Sequence, residues 1–405
     1  MSCSKGRMTA LVGVALLVLA LSLIPGTGMA ETKTLKVGAL INESNPTGVD
    51  FRRYLEAIVP FFNESGGLVI GGEPYNIEMI RYDTKGNTET ARAAVERLIS
   101  RDQIKFILSD ETIDAWVPLT EANKVVVIVQ KPSTSIYDPR LKYVFEGSGM
   151  QTQTAPAWGW LSDNFKDLKT FAFAFPDNIM GHGEHDKSEK MAAAFSLKVV
   201  TDMYYPPDIN DFTSMAARIK KANADCFVTG GGGPTDIRLY KGLNEAGWKG
   251  RIFAYLGASA IRYGRVIPLS IVEGLLGSTL DPFEFGDDSL SPMAKKAKDA
   301  WTAKHGKFEN PYTTYWLEWD ELIAGLRKAN SLDTDKVAAA IGGGMEFDAV
   351  FGKARMVARP DCKNSRTVSA IVPVSMLKIA QEKSQLIKKM NLDEVYKYNK
   401  QFYKW

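Results

Sequence analysis

Asp211 to Gly233 reads DFTSMAARIKKANADCFVTGGGG, and this stretch sets the expectation for the whole chain. Phe212, Met215, Ile219 and Ala222 recur at three- and four-residue spacing, with Arg218, Lys220 and Lys221 on the other side, which is the period of an amphipathic helix. Cys226 to Thr229 follows after a turn. Four residues are too few to tell a strand from a buried helical turn by period, so the apolar content and the glycines that stop the run decide for a strand. A helix feeding a buried strand that ends in a glycine loop is one unit of an open α/β sheet, and such sheets bind ligands at their strand ends.

The same unit recurs on both sides. Leu35 to Ile41, Ile77 to Tyr82, Phe106 to Leu108 and Val125 to Val129 read as buried strands, separated by helical patterns at Asp50 to Asn63, Thr88 to Leu98 and Ala115 to Ala122. The pattern restarts near Glu146, with strands at Thr170 to Phe175, Val199 to Tyr204, Cys226 to Thr229 and Arg251 to Tyr255. Helices near Ala155 to Asn164, after Gly181 and at Asp236 to Ala246 lie among them. Strands alternating with helices of this length form right-handed βαβ units, so two doubly wound sheets are predicted in succession. Helices at Pro292 to His305, Tyr312 to Lys328 and Thr334 to Ile341 follow, then β-like segments at Ala354 to Val357 and Thr367 to Val374 that would complete both sheets.

Lys5 and Arg7 precede an apolar run from Leu11 to Ile24 that ends at Gly28, Met29 and Ala30, the form of a secretory signal peptide cleaved after Ala30. The run falls short of the ~20 residues that a membrane span needs. About 375 residues would remain, too many for one core. Without Lys5 and Arg7, the fifty basic residues become forty-eight against forty-seven acidic ones, a balance that offers nothing to nucleic acid or to a polybasic membrane contact. Cys226 and Cys362 remain, in a compartment that permits a disulfide, although Cys226 lies in a strand where it acts as a small hydrophobe.

Chemistry-bearing motifs are sparse. Gly230 to Gly233 lacks the spacing of a phosphate-binding or dinucleotide fingerprint. His182, Glu184, His185 and Asp186 are the one cluster of metal-ligand types, but they follow a strand and read as a solvated helix start; no metal is expected. No H-E-x-x-H or G-x-S-x-G occurs. The strand-end stretches are polar and small: Ser109 to Thr112, Lys131 to Ser135, Asp177 to Gly181, Gly230 to Pro234 and Gly257 to Ser259. Those types suit holding a small molecule by hydrogen bonds without transforming it.

With DFTSMAARIKKANAD, NESGG at Asn63 to Gly67, Tyr82-Asp83, Glu273-Gly274-Leu275, Thr313-Thr314-Tyr315 and Phe347-Asp348, the sequence resembles the leucine/isoleucine/valine-binding family of periplasmic solute-binding proteins, the receptors of ABC importers. The resemblance implies the type I fold of that family, two doubly wound Rossmann-like lobes joined by three crossings, near Gly147, Asp281 and Ala349. Residues 31–147 and 281–349 would form one lobe, 148–280 and 350–378 the other, and 379–405 an extension. It implies a monomeric periplasmic receptor with no catalysis and no cofactor, closing on a small molecule and delivering it to permease subunits in the inner membrane. A sensor of the same fold, reporting to a membrane receptor, is the alternative.

The family's first-lobe donors correspond to Thr112 and to Lys131 and Ser133. Asp177 keeps its place in the family's aspartate-x-x-tyrosine-glycine motif, but Met180 stands where tyrosine is usual. Gly232 replaces an aromatic side chain, and Gly257 or Ala258 the acid that grips an α-ammonium. Glu111 is a candidate to take over that ammonium from the first lobe, and Trp116, Tyr312 and Trp316 are candidate flat walls. A buried ammonium without a carboxylate partner is strongly penalised, so these departures point to a carboxylate ligand with an extended or aromatic body. The secreted protein should begin at Glu31 by intact mass, and retention of residues 1–30 would contradict the cleavage expectation.

Overall fold

The structure is a computed structural model and describes residues 32–130, 134–148, 151–229, 234–403 and 405. The first run of elements is β1 (Lys33–Ile41), α1 (Pro46–Glu64), β2 (Leu68–Ile70), β3 (Glu73–Asp83), α2 (Thr88–Ser100), β4 (Phe106–Ser109), α3 (Val117–Ala122), β5 (Val126–Val129) and β6 (Val144–Ser148). The second is α4 (Gln151–Asn164), β7 (Thr170–Pro176), α5 (Ile179–Ala194), β8 (Lys198–Tyr205), α6 (Thr213–Ala222), β9 (Cys226–Thr229), α7 (Pro234–Glu245), β10 (Arg251–Ala254), α8 (Ala260–Tyr263) and β11 (Leu276–Thr279). The return consists of α9 (Pro292–His305), α10 (Trp316–Ala329), α11 (Thr334–Gly342), β12 (Glu346–Ala349), β13 (Gly352–Arg359), β14 (Asn364–Ile371), β15 (Val374–Ala380), β16 (Lys383–Met390) and α12 (Leu392–Tyr403).

Among the described residues the strands form two sheets, ordered β12-β13-β14-β6-β5-β4-β1-β3-β2 and β16-β15-β11-β10-β9-β7-β8. Each has a parallel centre, β3-β1-β4-β5-β6 in one and β8-β7-β9-β10-β11 in the other. The order reverses between β1 and β4 and again between β7 and β9. These are the switch points at which loops diverge and leave room for a ligand.

Asp211 to Thr229 folds as its pattern dictates. Met215, Ala216 and Ile219 are buried against the sheet, with Phe212 just ahead of α6. Asn223 closes the helix at φ 49°, a left-handed position that Asn tolerates better than most residues. Asp225 then accepts from the amides of Lys169 and Thr170 at 3.1 and 2.9 Å, tying the start of β9 to β7. All four residues of β9 are buried, which is the condition of a central parallel strand. Cys226 is one of these; both it and Cys362 are free thiols.

Three features depart from the sequence reading. Leu68–Ile70 adds an antiparallel edge strand to β3 through the turn at Gly71 and Gly72, both at positive φ. Helix α10 starts at Trp316, four residues later than its pattern suggests, and Thr313 begins a turn that leads into it, its carbonyl accepting the Trp316 amide at 3.0 Å. Strands β13 and β14 stay in the first sheet, where β14 pairs parallel with β6, and the return to the second sheet falls between Ile371 and Val374, not near Ala349. Beyond it, β15 and β16 complete the second sheet and α12 packs its Leu392 and Val395 into the same core as Trp158 and Phe173.

Helix α10 carries Glu318, Asp320 and Glu321, all buried. Glu318 Oε2 accepts the Ser109 amide at 3.0 Å and Asp320 Oδ2 the Val350 amide at 2.7 Å. Burial pushes the Asp320 carboxyl up to about 7, against the pull of the Val350 amide. The unfolded chain therefore releases this proton at lower pH than the folded chain, and stability declines as pH rises between roughly 4 and 7. Asp320→Asn keeps an oxygen for Val350 and removes the ionisation. Its melting temperature should match the parent near pH 4 and exceed it by an amount worth on the order of 2–4 kcal/mol at pH 8; an equal difference at both pH values would contradict the assignment.

Candidate functional site

The C-terminal ends of strands from both sheets meet around one cavity of about 70 Å³. Gln130 after β5, Thr313 and Thr314 before α10, and Phe351 after β12 line it from the first lobe. Gln153 of α4, Gly257 after β10, Arg262 of α8, Thr279 at the end of β11, and Leu280 and Asp281 after it line the cavity from the second lobe and the crossing. The polar lining is held in place by local bonds. Gln153 Nε2 donates to Ser278 Oγ at 2.6 Å, and Ser278 donates onward to the Tyr255 carbonyl at 2.5 Å.

Arg262 is the cation among the described lining residues. Ser259 caps the short helix α8 by accepting the Arg262 amide, which sets the side chain's direction. Arg262 Nη2 donates to the Gly257 carbonyl at 2.7 Å, and the guanidinium lies 5.6 Å from the centroid of the Tyr312 ring across the cleft. Gly257 sits at φ 60°, the left-handed region that favours glycine, and this turns its carbonyl toward Arg262. Asp281 Oδ2 stands 3.6 Å from Arg262 Nη1, beyond direct hydrogen-bond length, while Asp281 Oδ1 accepts the Phe283 amide at 3.0 Å. Burial raises the Asp281 carboxyl to about 6, opposed by Arg262 and the Phe283 amide and assisted by Glu284.

The residues singled out from sequence separate into groups. Gly257 lines the cavity, and half-buried Tyr312 reaches it through Arg262, its own amide bonded to Asp50 Oδ2 at 2.9 Å. Trp116 is fully buried beneath the first sheet among Ile113, Val127 and Val129. Trp316 is buried too, stacked on Tyr54 at 4.1 Å. Glu111 is buried and accepts the Thr84 hydroxyl, and Thr112 beside it is exposed. Asp177 is exposed and paired with His182 at 2.7 Å, and Met180 falls in the first turn of α5. Lys131, Ser133 and Gly232 lie outside the described residues. His185 is within 2.6 Å of Asp202, and among the described residues no group of three or more metal-ligand side chains is placed to hold an ion.

Arg262, Gln130, Gln153 and Asp281 were not singled out as binding residues. Gly257 to Ser259 marks the strand end that launches Arg262, but a cation three residues into an unmarked one-turn helix carries no periodic signal. Asp281 is legible only as a crossing.

A family profile described as periplasmic binding protein matches residues 34–374. The Leu/Ile/Val-binding protein BraC3 of Rhizobium johnstonii is 27% identical over 305 residues, covering 74% of this chain and 80% of that one. An ABC transporter substrate-binding protein from Sphaerobacter thermophilus superposes with a TM-score of 0.73 at 19% identity, covering 89% of this chain and 98% of its own. A solute-binding protein of an ABC transporter from R. palustris, solved in complex with 4-hydroxybenzoate, gives a TM-score of 0.67 at 21% identity over 89% and 96% of the two chains. The chain belongs to the periplasmic binding protein family, whose members are non-enzymatic solute receptors located outside the cytoplasm. Among the described residues, no helix is long and apolar enough to cross a membrane.

A second arginine also bridges the cleft: Arg265 Nη2 donates to the Glu309 carbonyl at 2.8 Å. Arg265→Ala removes that link while leaving the cavity lining intact. The ligand-free radius of gyration measured by small-angle X-ray scattering should increase; an unchanged value would show that the contact does not hold the lobes together.

Proposed function

We propose that this member of the periplasmic binding protein family is the receptor of an ABC importer, trapping a small carboxylate with an aromatic or extended body between its lobes and delivering it to inner-membrane permease subunits. The observation that carries this reading is Arg262, a largely buried guanidinium facing an interlobe cavity whose other polar groups are amides, hydroxyls and the Asp281 carboxyl, which makes no direct hydrogen bond to it. A planar guanidinium matches a carboxylate in shape and charge. Tyr312, Phe351 and Leu280 offer flat or apolar surface to the rest of such a ligand. The R. palustris protein of the same fold was solved with an aromatic acid, which supports the class without fixing the compound.

An amino acid is the second reading. Asp281 stands on the same cavity wall and would accept an ammonium beside the carboxylate on Arg262, and the R. johnstonii relative carries a Leu/Ile/Val-binding name. Thermal shift against benzoate, 4-hydroxybenzoate, phenylacetate, hexanoate, leucine and valine separates the two. The preferred ligand at one hundred times its Kd should add about 2.7 kcal/mol of stability. Arg262→Gln should weaken that ligand by roughly ten- to a hundredfold, the range for a hydrogen bond to a charged group. Preference for leucine or valine over every simple acid would overturn the carboxylate reading.

A further inference from the structure

Arg262 and Asp281 share the cavity wall without a direct hydrogen bond, their nearest charged atoms 3.6 Å apart. The guanidinium is otherwise held by the Gly257 carbonyl and the Tyr312 ring, neither of which neutralises it. Among the described residues, Asp281 is the carboxylate that pairs with it. Glu284, whose charge opposes that of Asp281, accepts the hydroxyls of Ser259 at 2.5 Å and Ser384 at 2.6 Å. Beyond Tyr312 lie Asp50, Arg53, Arg265 and Glu309, one residue shell further out. Among the described residues, Arg262 is the cation that favours the ionised form of Asp281, and it faces the cavity.

Resting on the carboxylate reading above, we propose that the ligand's carboxylate takes Asp281's place as the counter-ion of Arg262, and that Asp281 binds one proton from solvent as the ligand enters. A second carboxylate brought to the same guanidinium removes the attraction that keeps Asp281 charged, while Glu284 and the closed cleft continue to oppose its charge. The protonated Asp281 keeps its acceptor oxygen for the Phe283 amide and gains an O–H that can donate to the ligand. In the ligand-free protein Asp281 titrates at about 6, so the exchange falls in the range where a receptor outside the cytoplasm meets varying pH. A simple acid is then captured together with a proton. A zwitterionic amino acid, with its ammonium on Asp281, is captured without one.

Isothermal titration calorimetry at pH 7 in phosphate and in Tris, whose ionisation enthalpies differ, counts the protons exchanged. The probe is the tightest-binding simple acid of benzoate, 4-hydroxybenzoate, phenylacetate and hexanoate. The wild type should take up about one proton per ligand, and its affinity should fall by up to tenfold per pH unit above pH 6. Asp281→Asn should bind the same acid with no uptake and a flat pH profile, and Asp281→Ser, which also caps the turn at Pro282, gives a second variant should the first be unstable. Glu284→Gln should retain the uptake. Binding without uptake in the wild type, or uptake that survives at Asp281→Asn and vanishes at Glu284→Gln, overturns proton capture and leaves the carboxylate reading standing. Failure of every simple acid to bind overturns both.

Discussion

A backbone amide that leaves a sheet and stays buried must find an acceptor, because an unmet one costs about as much as a lost hydrogen bond. Here helix α10 supplies that acceptor twice. Glu318 takes the Ser109 amide where β4 ends, and Asp320 takes the Val350 amide where β12 ends. Both carboxyls are buried, and burial drives them, with Glu321 beside them, toward the neutral form. One helix therefore fixes the position of two strand-end loops. Thr313 and Thr314, in the turn that leads into it, form part of the cavity wall between the lobes.

The second lobe uses a different device for the same purpose. Gly181 starts α5 so close to the end of β7 that an added Cβ would lie 1.9 Å from the Pro176 carbonyl oxygen. Gly257 turns at positive φ and hands its carbonyl to Arg262. The first lobe has such a glycine as well, at Gly48, where an added Cβ would lie 1.9 Å from the Asn42 carbonyl oxygen, beside its buried acids. The cavity lies where the two solutions face each other, close to the crossings, so a change in lobe angle acts directly on its walls.

Much of this was legible in the sequence. The alternation of helix and strand, the limits of β9, and helix α9 at Pro292–His305 follow from apolar period and caps. Of the residues read from strand ends and motifs, Gly257 lines the cavity and Tyr312 reaches it through Arg262. The third crossing was misplaced because β13 and β14 read as generic β segments, and nothing local says which sheet a strand joins; that is set by the pairing of β14 with β6. Trp116 and Trp316 offered flat rings, but their positions at helix starts put them under the sheet. Arg262 carries no signal in the sequence because its placement depends on a glycine carbonyl five residues back and a tyrosine fifty residues on, a juxtaposition that only folding creates.

The central claim is that Arg262 anchors a ligand carboxylate between the lobes. A crystal structure of the protein with its preferred acid tests it most directly. The claim requires carboxylate oxygens at about 2.7–2.9 Å from the Arg262 guanidinium, with the ligand body against Tyr312 and Phe351. A ligand bound with its carboxylate on the loop after β4, with Arg262 still facing Asp281 alone, would contradict it.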